Sequence, residues 1–290
     1  MNRFLTVVTL IIAFFLLSSS TFAQKSAEER SWNQPVAPFK IVGNIYYVGA
    51  SDVTSYLVTT PKGHILIDSG FLETVPQIRE NIAELGFKFS DIKILLNSHA
   101  HYDHAGGLAE LRRLTRAKLF VSRLDEPLFV NGGKQDPNFG DKFPFEPTKP
   151  DRLLNDLEKV KLGGSTLTAN VTSGHTKGCT TWTTTVRDGG KEYNVVFVCS
   201  TSSPGYKLIN NSAYPTIVDD YAKTFERLNR LKVDIFLGSH GNIYDLEGKI
   251  ERLKKGRSNP FIDPQGYRDY VANSEAAFHK KLEEQKSSKQ

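Results

Sequence analysis

At 290 residues, with a formal net charge of +5 and two cysteines, the chain is long enough to bury a substantial core, and its length suits one large domain better than two small ones. Its basic residues are scattered, with short runs at Arg112-Arg113, Lys254-Lys255 and Lys280-Lys281 that read as solvated helix faces. No basic stripe interleaved with stacking aromatics is present, which argues against a nucleic-acid binder.

The chain opens on an export signal. Asn2-Arg3 gives a short positive start, Phe4 to Leu17 is almost continuously apolar, and Ser18 to Ala23 supplies small residues before Gln24. The apolar stretch falls short of the roughly 20 residues a spanning helix needs, and no cysteine follows it for lipid attachment. These features predict a signal peptide over 1–23 and one exported domain over 24–290, without stable membrane association after cleavage. Residues 24–38, polar and containing Pro35 and Pro38, read as a loose arm.

Three β-rich segments follow, Ile41 to Val48, Val53 to Thr59 and His64 to Asp68, with turns at Gly43-Asn44, Ser51-Asp52 and Pro61-Lys62-Gly63. Ile78, Ile82 and Leu85 at helical spacing predict a helix over Val75 to Leu85, ended by Gly86. Ile92 to Asn97 reads as a strand, Gly107 to Thr115 as a helix and Ala117 to Ser122 as a strand. Residues 123–150, rich in proline and phenylalanine, break this rhythm and read as a lid, a binding loop or a surface excursion pinned by Phe143 and Phe145. The second half repeats the scheme: strands over Leu157 to Thr172, a hairpin of Thr180 to Arg187 with Glu192 to Val198, a helix over Ile217 to Leu231 and a strand over Val233 to Leu237. Two helices close the chain, near Leu246 to Lys255 and Tyr267 to Glu284. Two sheets facing each other with helices outside is the natural arrangement of two such halves.

Folding about the Asp188-Gly189-Gly190-Lys191 turn brings Cys179 nearly opposite Cys199. In an exported protein that position suits a disulfide; two free buried thiols are the alternative.

The densest chemistry lies in His99-Ala100-His101-Tyr102-Asp103-His104, directly after Ile94-Leu95-Leu96: three of the chain's seven histidines fall within six positions. His175, in Ser173-Gly174-His175-Thr176, and His240, in Gly238-Ser239-His240-Gly241, follow strands in glycine-flanked turns that let each project into a shared cleft. Five imidazoles and one carboxylate suit two zinc ions with about three protein ligands each and positions left open for water. His64 and His279 lack that setting and read as non-ligands.

His99-x-His101-x-Asp103-His104, then Gly174-His175-Thr176, then a histidine after a late strand resembles the metallo-β-lactamase superfamily over essentially the whole mature chain. The resemblance implies a four-layer αβ/βα sandwich, an α/β fold of two facing mixed sheets with helices outside. His101 stands where flavo-diiron proteins place a glutamate, favouring zinc hydrolysis over redox iron. Thiolesterases and lactonases carry a metal-bridging aspartate near the strand end that here reads Val198-Cys199-Ser200, and no acid is present. Ser200 to Tyr206, Asn259 to Tyr267 and the Gly178-Cys179-Thr180-Thr181-Trp182 segment are similar to subclass B3 metallo-β-lactamases, in which such a cysteine pairs with one before the serine segment. A one-residue shift would instead make Cys199 a metal ligand, as in subclasses B1 and B2; the Pro204-Gly205-Tyr206 spacing and the presence of Cys179 favour Ser200 at that place.

By this resemblance His99, His101 and His175 hold one Zn2+, and Asp103, His104 and His240 hold a second. A hydroxide shared by the metals and oriented by Asp103 attacks the β-lactam carbonyl of penicillins, cephalosporins and carbapenems. Ser200 and Ser202 bind the substrate carboxylate, and Tyr206 supports the developing oxyanion. The expected protein is a periplasmic monomer that confers antibiotic resistance; a same-fold zinc hydrolase of a lactone or thioester is the alternative. A serine β-lactamase lacks its parts here: no Ser-x-x-Lys is paired with Ser-Asp-Asn or Lys-Thr-Gly.

Overall fold

The computed structural model describes residues 26–256 and 258–288, so the signal segment 1–23 lies outside the described residues. Two mixed sheets face each other. The first runs in chain order: β1 (Phe39–Val42), β2 (Ile45–Tyr47), β3 (Tyr56–Val58), β4 (His64–Ile67), β5 (Ile92–Leu96), β6 (Lys118–Ser122) and β7 (Arg152–Leu154). It is antiparallel up to β4 and parallel from β4 to β7. The second holds β8 (Lys159–Leu162), β9 (Ser165–Val171), β10 (Thr180–Asp188), β11 (Lys191–Val198) and β12 (Ile235–Gly238), antiparallel except for β12 beside β11.

The parallel strands carry apolar runs, Ile65-Leu66-Ile67 in β4 and Ile94-Leu95-Leu96 in β5, because both of their faces are covered. Ile65 and Ile67 of β4 enter the core between the sheets, with Tyr47, Tyr56, Trp182 and Phe197. Leu66 points the other way, against α2 (Val75–Glu84) and α4 (Leu108–Thr115), where Ile78, Ile82, Leu108 and Leu111 meet it. On the far side α6 (Ile217–Arg230) buries Tyr221, Phe225 and Leu228, and α8 (Pro264–Ser287) buries Tyr267, Val271, Phe278 and Leu282. This is the expected four-layer αβ/βα sandwich. Three short helices, α1 (Ala27–Trp32), α3 (Tyr102–Ala105) and α5 (Glu126–Asn131), together with α7 (Leu246–Lys254), complete the described α-helices. Among the described residues, no helix is long and apolar enough to cross a membrane.

Two expectations change. Within the expected loose arm over 24–38, the described residues from Ser26 on are ordered: Ser26 and Glu29 form a capping box that starts α1, and Trp32 O accepts from Asp52 N and Val53 N at 2.9 and 3.1 Å. Residues 123–150 are not wholly irregular either, since Glu126–Asn131 is helical, with Pro127 in its first turn and Gly132 in the left-handed cap.

The two sheets are stitched together at one edge. Thr180 N donates to Ser98 O at 2.7 Å, Trp182 Nε1 to Asn97 O at 3.1 Å and Tyr56 OH to Gly238 O at 2.6 Å. Beside this seam Cys179 and Cys199 are joined, with Cα atoms 5.9 Å apart. Their sequence separation of 20 residues gives a loop constraint worth about 3 kcal/mol in the chain-entropy model. Reduction under non-denaturing conditions is therefore expected to lower unfolding stability by about that amount, measured as a fall in the urea midpoint. An unchanged midpoint would show that the seam holds without the bond.

Candidate metal centre

The C-terminal ends of β5, β9, β11 and β12 converge on that edge, and each is followed by a loop that turns back over the sheets. His99 leaves β5 by way of Asn97-Ser98, and the short helix α3 places Asp103 and His104 one turn further on. His175 follows β9; Gly174, at φ +138°, allows the turn, and a Cβ there would lie 2.8 Å from the Tyr221 ring. His240 follows β12 and Ser200 follows β11.

The predicted ligands come together as two triads. His99, His101 and His175 offer nitrogens within 4.8 Å of one another, with His101 Nδ1 and His175 Nε2 only 3.0 Å apart. In the second, His104 Nε2 lies 3.1 Å from His240 Nε2, and Asp103 Oδ2 is 3.2 and 3.3 Å from these two nitrogens. Ligands of a four-coordinate ion with bonds of about 2.0–2.1 Å stand roughly 3.3–3.4 Å apart. The second donor set therefore fits a metal in both chemistry and spacing, and the first in chemistry, with its nitrogens gathered within 4.8 Å of one another. The triads adjoin, since the His99 and His104 ring centroids are 4.3 Å apart.

Charge is arranged to suit this. Burial drives the His99 imidazole well below its ordinary pKa and His175 to about 3, so both stay neutral and offer lone pairs. Burial would also lower His104, but Asp103 and Asp68 outweigh it and push it up to about 10, so this ring holds a proton that a bound cation would displace. Burial alone would raise Asp103, yet His104 and His240 hold it far below the carboxylate range, and it stays ionised.

A ring that ligates through one nitrogen needs a partner on the other to fix its orientation and tautomer. His99 Nδ1 meets Ser98 Oγ at 3.0 Å, and His175 Nδ1 meets the Ser202 carbonyl at 2.8 Å. His240 Nδ1 meets Asp52 Oδ2 at 2.7 Å, and the other oxygen of Asp52 accepts from Asn242 N at 2.8 Å. His104 Nδ1 faces Asp68 Oδ2 at an ion-pair distance of 3.6 Å, while Asp68 Oδ1 accepts from Ser98 N at 2.6 Å. Sequence reading missed Asp52 and Asp68. An acid closing an apolar strand before Ser69-Gly70 was the available signal for Asp68; Asp52 passes for an ordinary turn residue. Asp125 was missed as well. It is 1% exposed and accepts from Ala100 N, Thr176 Oγ1 and Gly178 N at 3.1, 2.8 and 2.6 Å, joining the loops that carry His99 and His175.

At the rim, Ser200 Oγ and Ser202 Oγ are 3.1 Å apart; Ser200 is buried and Ser202 exposed. Tyr206 is 2% exposed and donates its hydroxyl to the His175 carbonyl at 3.0 Å. Cys199 Sγ lies 3.6 Å from His99 Nδ1, but its bond to Cys179 withdraws it from the ligand set. His64 is elsewhere, its Nδ1 accepting from Thr60 N at 3.4 Å, and His279 lies on α8 beside the Phe278 ring.

This fold, with these candidate donors at its strand ends, defines a metal-dependent hydrolase class, and the metallo-beta-lactamase superfamily profile matches residues 48–240; the chain belongs to that superfamily. Within it, the likeness is to subclass B3 enzymes. Native FEZ-1 metallo-beta-lactamase from Legionella gormanii is 45% identical, with 88% of this chain and 98% of that one covered and a TM-score of 0.87. The class B3 di-zinc metallo-beta-lactamase LRA-12 from an Alaskan soil metagenome is 34% identical, covering 89% and 98%, with a TM-score of 0.84. A UPF0173 metal-dependent hydrolase of Anaeromyxobacter dehalogenans is more distant, 26% identical over 73% of this chain and 72% of that protein.

Proposed function

We propose that the protein is a zinc-dependent β-lactamase that opens the β-lactam amide of penicillins, cephalosporins and carbapenems and so confers resistance to them. The observation that carries this reading is the pair of adjoining triads beside a serine rim, with Ser200 where the lactonase and thiolesterase branches place a bridging aspartate. His99, His101 and His175 would hold one ion, and Asp103, His104 and His240 the other. Zinc in such a pair supplies a hydroxide nucleophile at neutral pH and Lewis acidity toward the carbonyl and the leaving nitrogen.

The chain's own groups do the rest. Asp103, held ionised, orients the nucleophile by accepting its hydrogen in a hydrogen bond. Ser200 and Ser202 hydrogen-bond the substrate carboxylate, which fixes the ring over the triads. The Tyr206 phenol, kept protonated by burial, exchanges the His175 carbonyl for the developing oxyanion. The Cys179–Cys199 bridge suits an oxidising compartment, in keeping with export to the periplasm.

The test is hydrolysis of nitrocefin and a carbapenem by the purified mature chain, with and without a chelator. Rapid turnover that is abolished by chelation and restored by zinc is the expected result. Turnover of an acyl-homoserine lactone or a thioester, with both β-lactams left intact, would overturn it in favour of the esterase branch.

A further inference from the structure

Four of the five metal-facing imidazoles have an orienting partner described above; His101 takes its partner from the proline-rich segment 123–150. There Asp136 and Gly140 exchange backbone hydrogen bonds, Asp136 N to Gly140 O at 3.1 Å and Gly140 N to Asp136 O at 2.9 Å. Asp136 Oδ1 caps the turn, accepting from Asn138 N at 2.8 Å and Phe139 N at 2.7 Å. Asp136 Oδ2 is buried and left without a hydrogen-bond partner. So is His101 Nε2, and these two atoms face one another at 3.4 Å. The same turn lays the Phe139 ring against His101, with centroids 5.2 Å apart, and edge-on to Tyr206 at 5.3 Å.

His101 turns Nδ1 toward the first triad. A ligating nitrogen carries no proton, so a neutral, metal-bound His101 carries its hydrogen on Nε2. A buried N–H requires an acceptor, and the one it faces is Asp136 Oδ2.

We propose that Asp136 is a positioning residue of the metal centre: it accepts the Nε2 hydrogen of His101, so that the 136–140 turn fixes that ligand's tautomer. The proposal rests on the metal-binding reading above and deepens it. It also assigns a role to segment 123–150, whose pattern alone left a lid, a binding loop and a plain surface excursion open.

Asp136→Asn separates tautomer from turn. Its amide oxygen can still cap Asn138 N and Phe139 N, which obliges the amide NH2 to face His101. Nε2 must then accept, and the ring hydrogen moves to Nδ1, the nitrogen the metal needs. Zinc titration of the mature chain against a competing chelator is expected to show one of two ions bound about 10–100-fold more weakly, with the other unchanged. The thermal midpoint of the metal-free protein should match wild type. Asp141→Ala is the control: it removes a second cap of this segment, at Gln135 N, without reaching an imidazole, and should bind zinc as wild type does. Wild-type affinity at both ions in Asp136→Asn, or an equal loss in Asp141→Ala, would overturn the proposal. A wild-type chain that binds no zinc would overturn the metal reading itself, and this proposal with it.

Discussion

Asp103→Asn is expected to lower kcat/KM for nitrocefin by roughly 10²–10⁴-fold, the range over which a positioned acid–base group acts, while bound zinc falls from two ions per chain toward one. The geometry joins both losses in one carboxylate. Asp103 Oδ2 stands 3.2 Å from His104 Nε2 and 3.3 Å from His240 Nε2, so it completes the second triad. It is also the buried charge that raises His104 and that His104 and His240 hold ionised in return. An amide of the same shape keeps one weak donor oxygen, removes the charge and accepts a nucleophile's hydrogen less strongly. The measurement is steady-state kinetics beside metal analysis of the same dialysed sample. Loss of turnover with two ions retained would assign Asp103 to orienting the nucleophile alone. Undiminished turnover would remove it from the machinery and sink the second triad as drawn.

Much of this was legible in the sequence because ligands leave a local trace. A run of three histidines and an aspartate after an apolar strand can be read without knowing what lies across the cleft, and so can a histidine between glycines at a strand end. The sheets were legible for a related reason. Parallel strands covered on both sides are written as short apolar runs, and the Asp188 to Lys191 turn sets the register that places Cys179 near Cys199. The orienting acids were not legible. Asp52, Asp68, Asp125 and Asp136 meet their partners 188, 36, 51 and 35 residues away in sequence, and an isolated aspartate in a turn looks the same whether it caps backbone or steers an imidazole. The α1 arm escaped for another reason. Its capping box, Ser26 to Glu29, is a genuine local signal, but Pro35 and Pro38 and the polar composition mask it, and what holds the arm down is backbone pairing of Trp32 with a distant loop.

Asp125 shows how much such a residue carries. Asp125→Ala is expected to destabilise the fold by about 3–5 kcal/mol, because it strands three donors in a site that is 1% exposed. Those donors belong to two loops from two sheets: Ala100 N lies between His99 and His101, while Thr176 Oγ1 and Gly178 N follow His175. The approach is close: a Cβ on Gly178 would come within 2.5 Å of Asp125 N. Burial raises this carboxyl above its ordinary pKa, and the three hydrogen bonds offset that only in part. The sign of the linkage follows. Just above the ordinary carboxylate pKa, the unfolded chain has released this proton while the folded chain still holds it, so the group's contribution to stability grows as pH falls. Asp125 is therefore not a source of acid lability, and the variant's deficit should persist in mild acid. Asp125→Asn should recover less than half of the loss, since its amide oxygen can serve Gly178 N or Ala100 N but must then present hydrogens to the other. Urea unfolding of the metal-free protein measures both variants, with the midpoint shifted and the slope unchanged. A loss under 1 kcal/mol in Asp125→Ala would mean that the Thr180–Ser98 hydrogen bond and the Cys179–Cys199 bridge already hold the two loops in register, leaving the carboxylate to tune the first metal site alone.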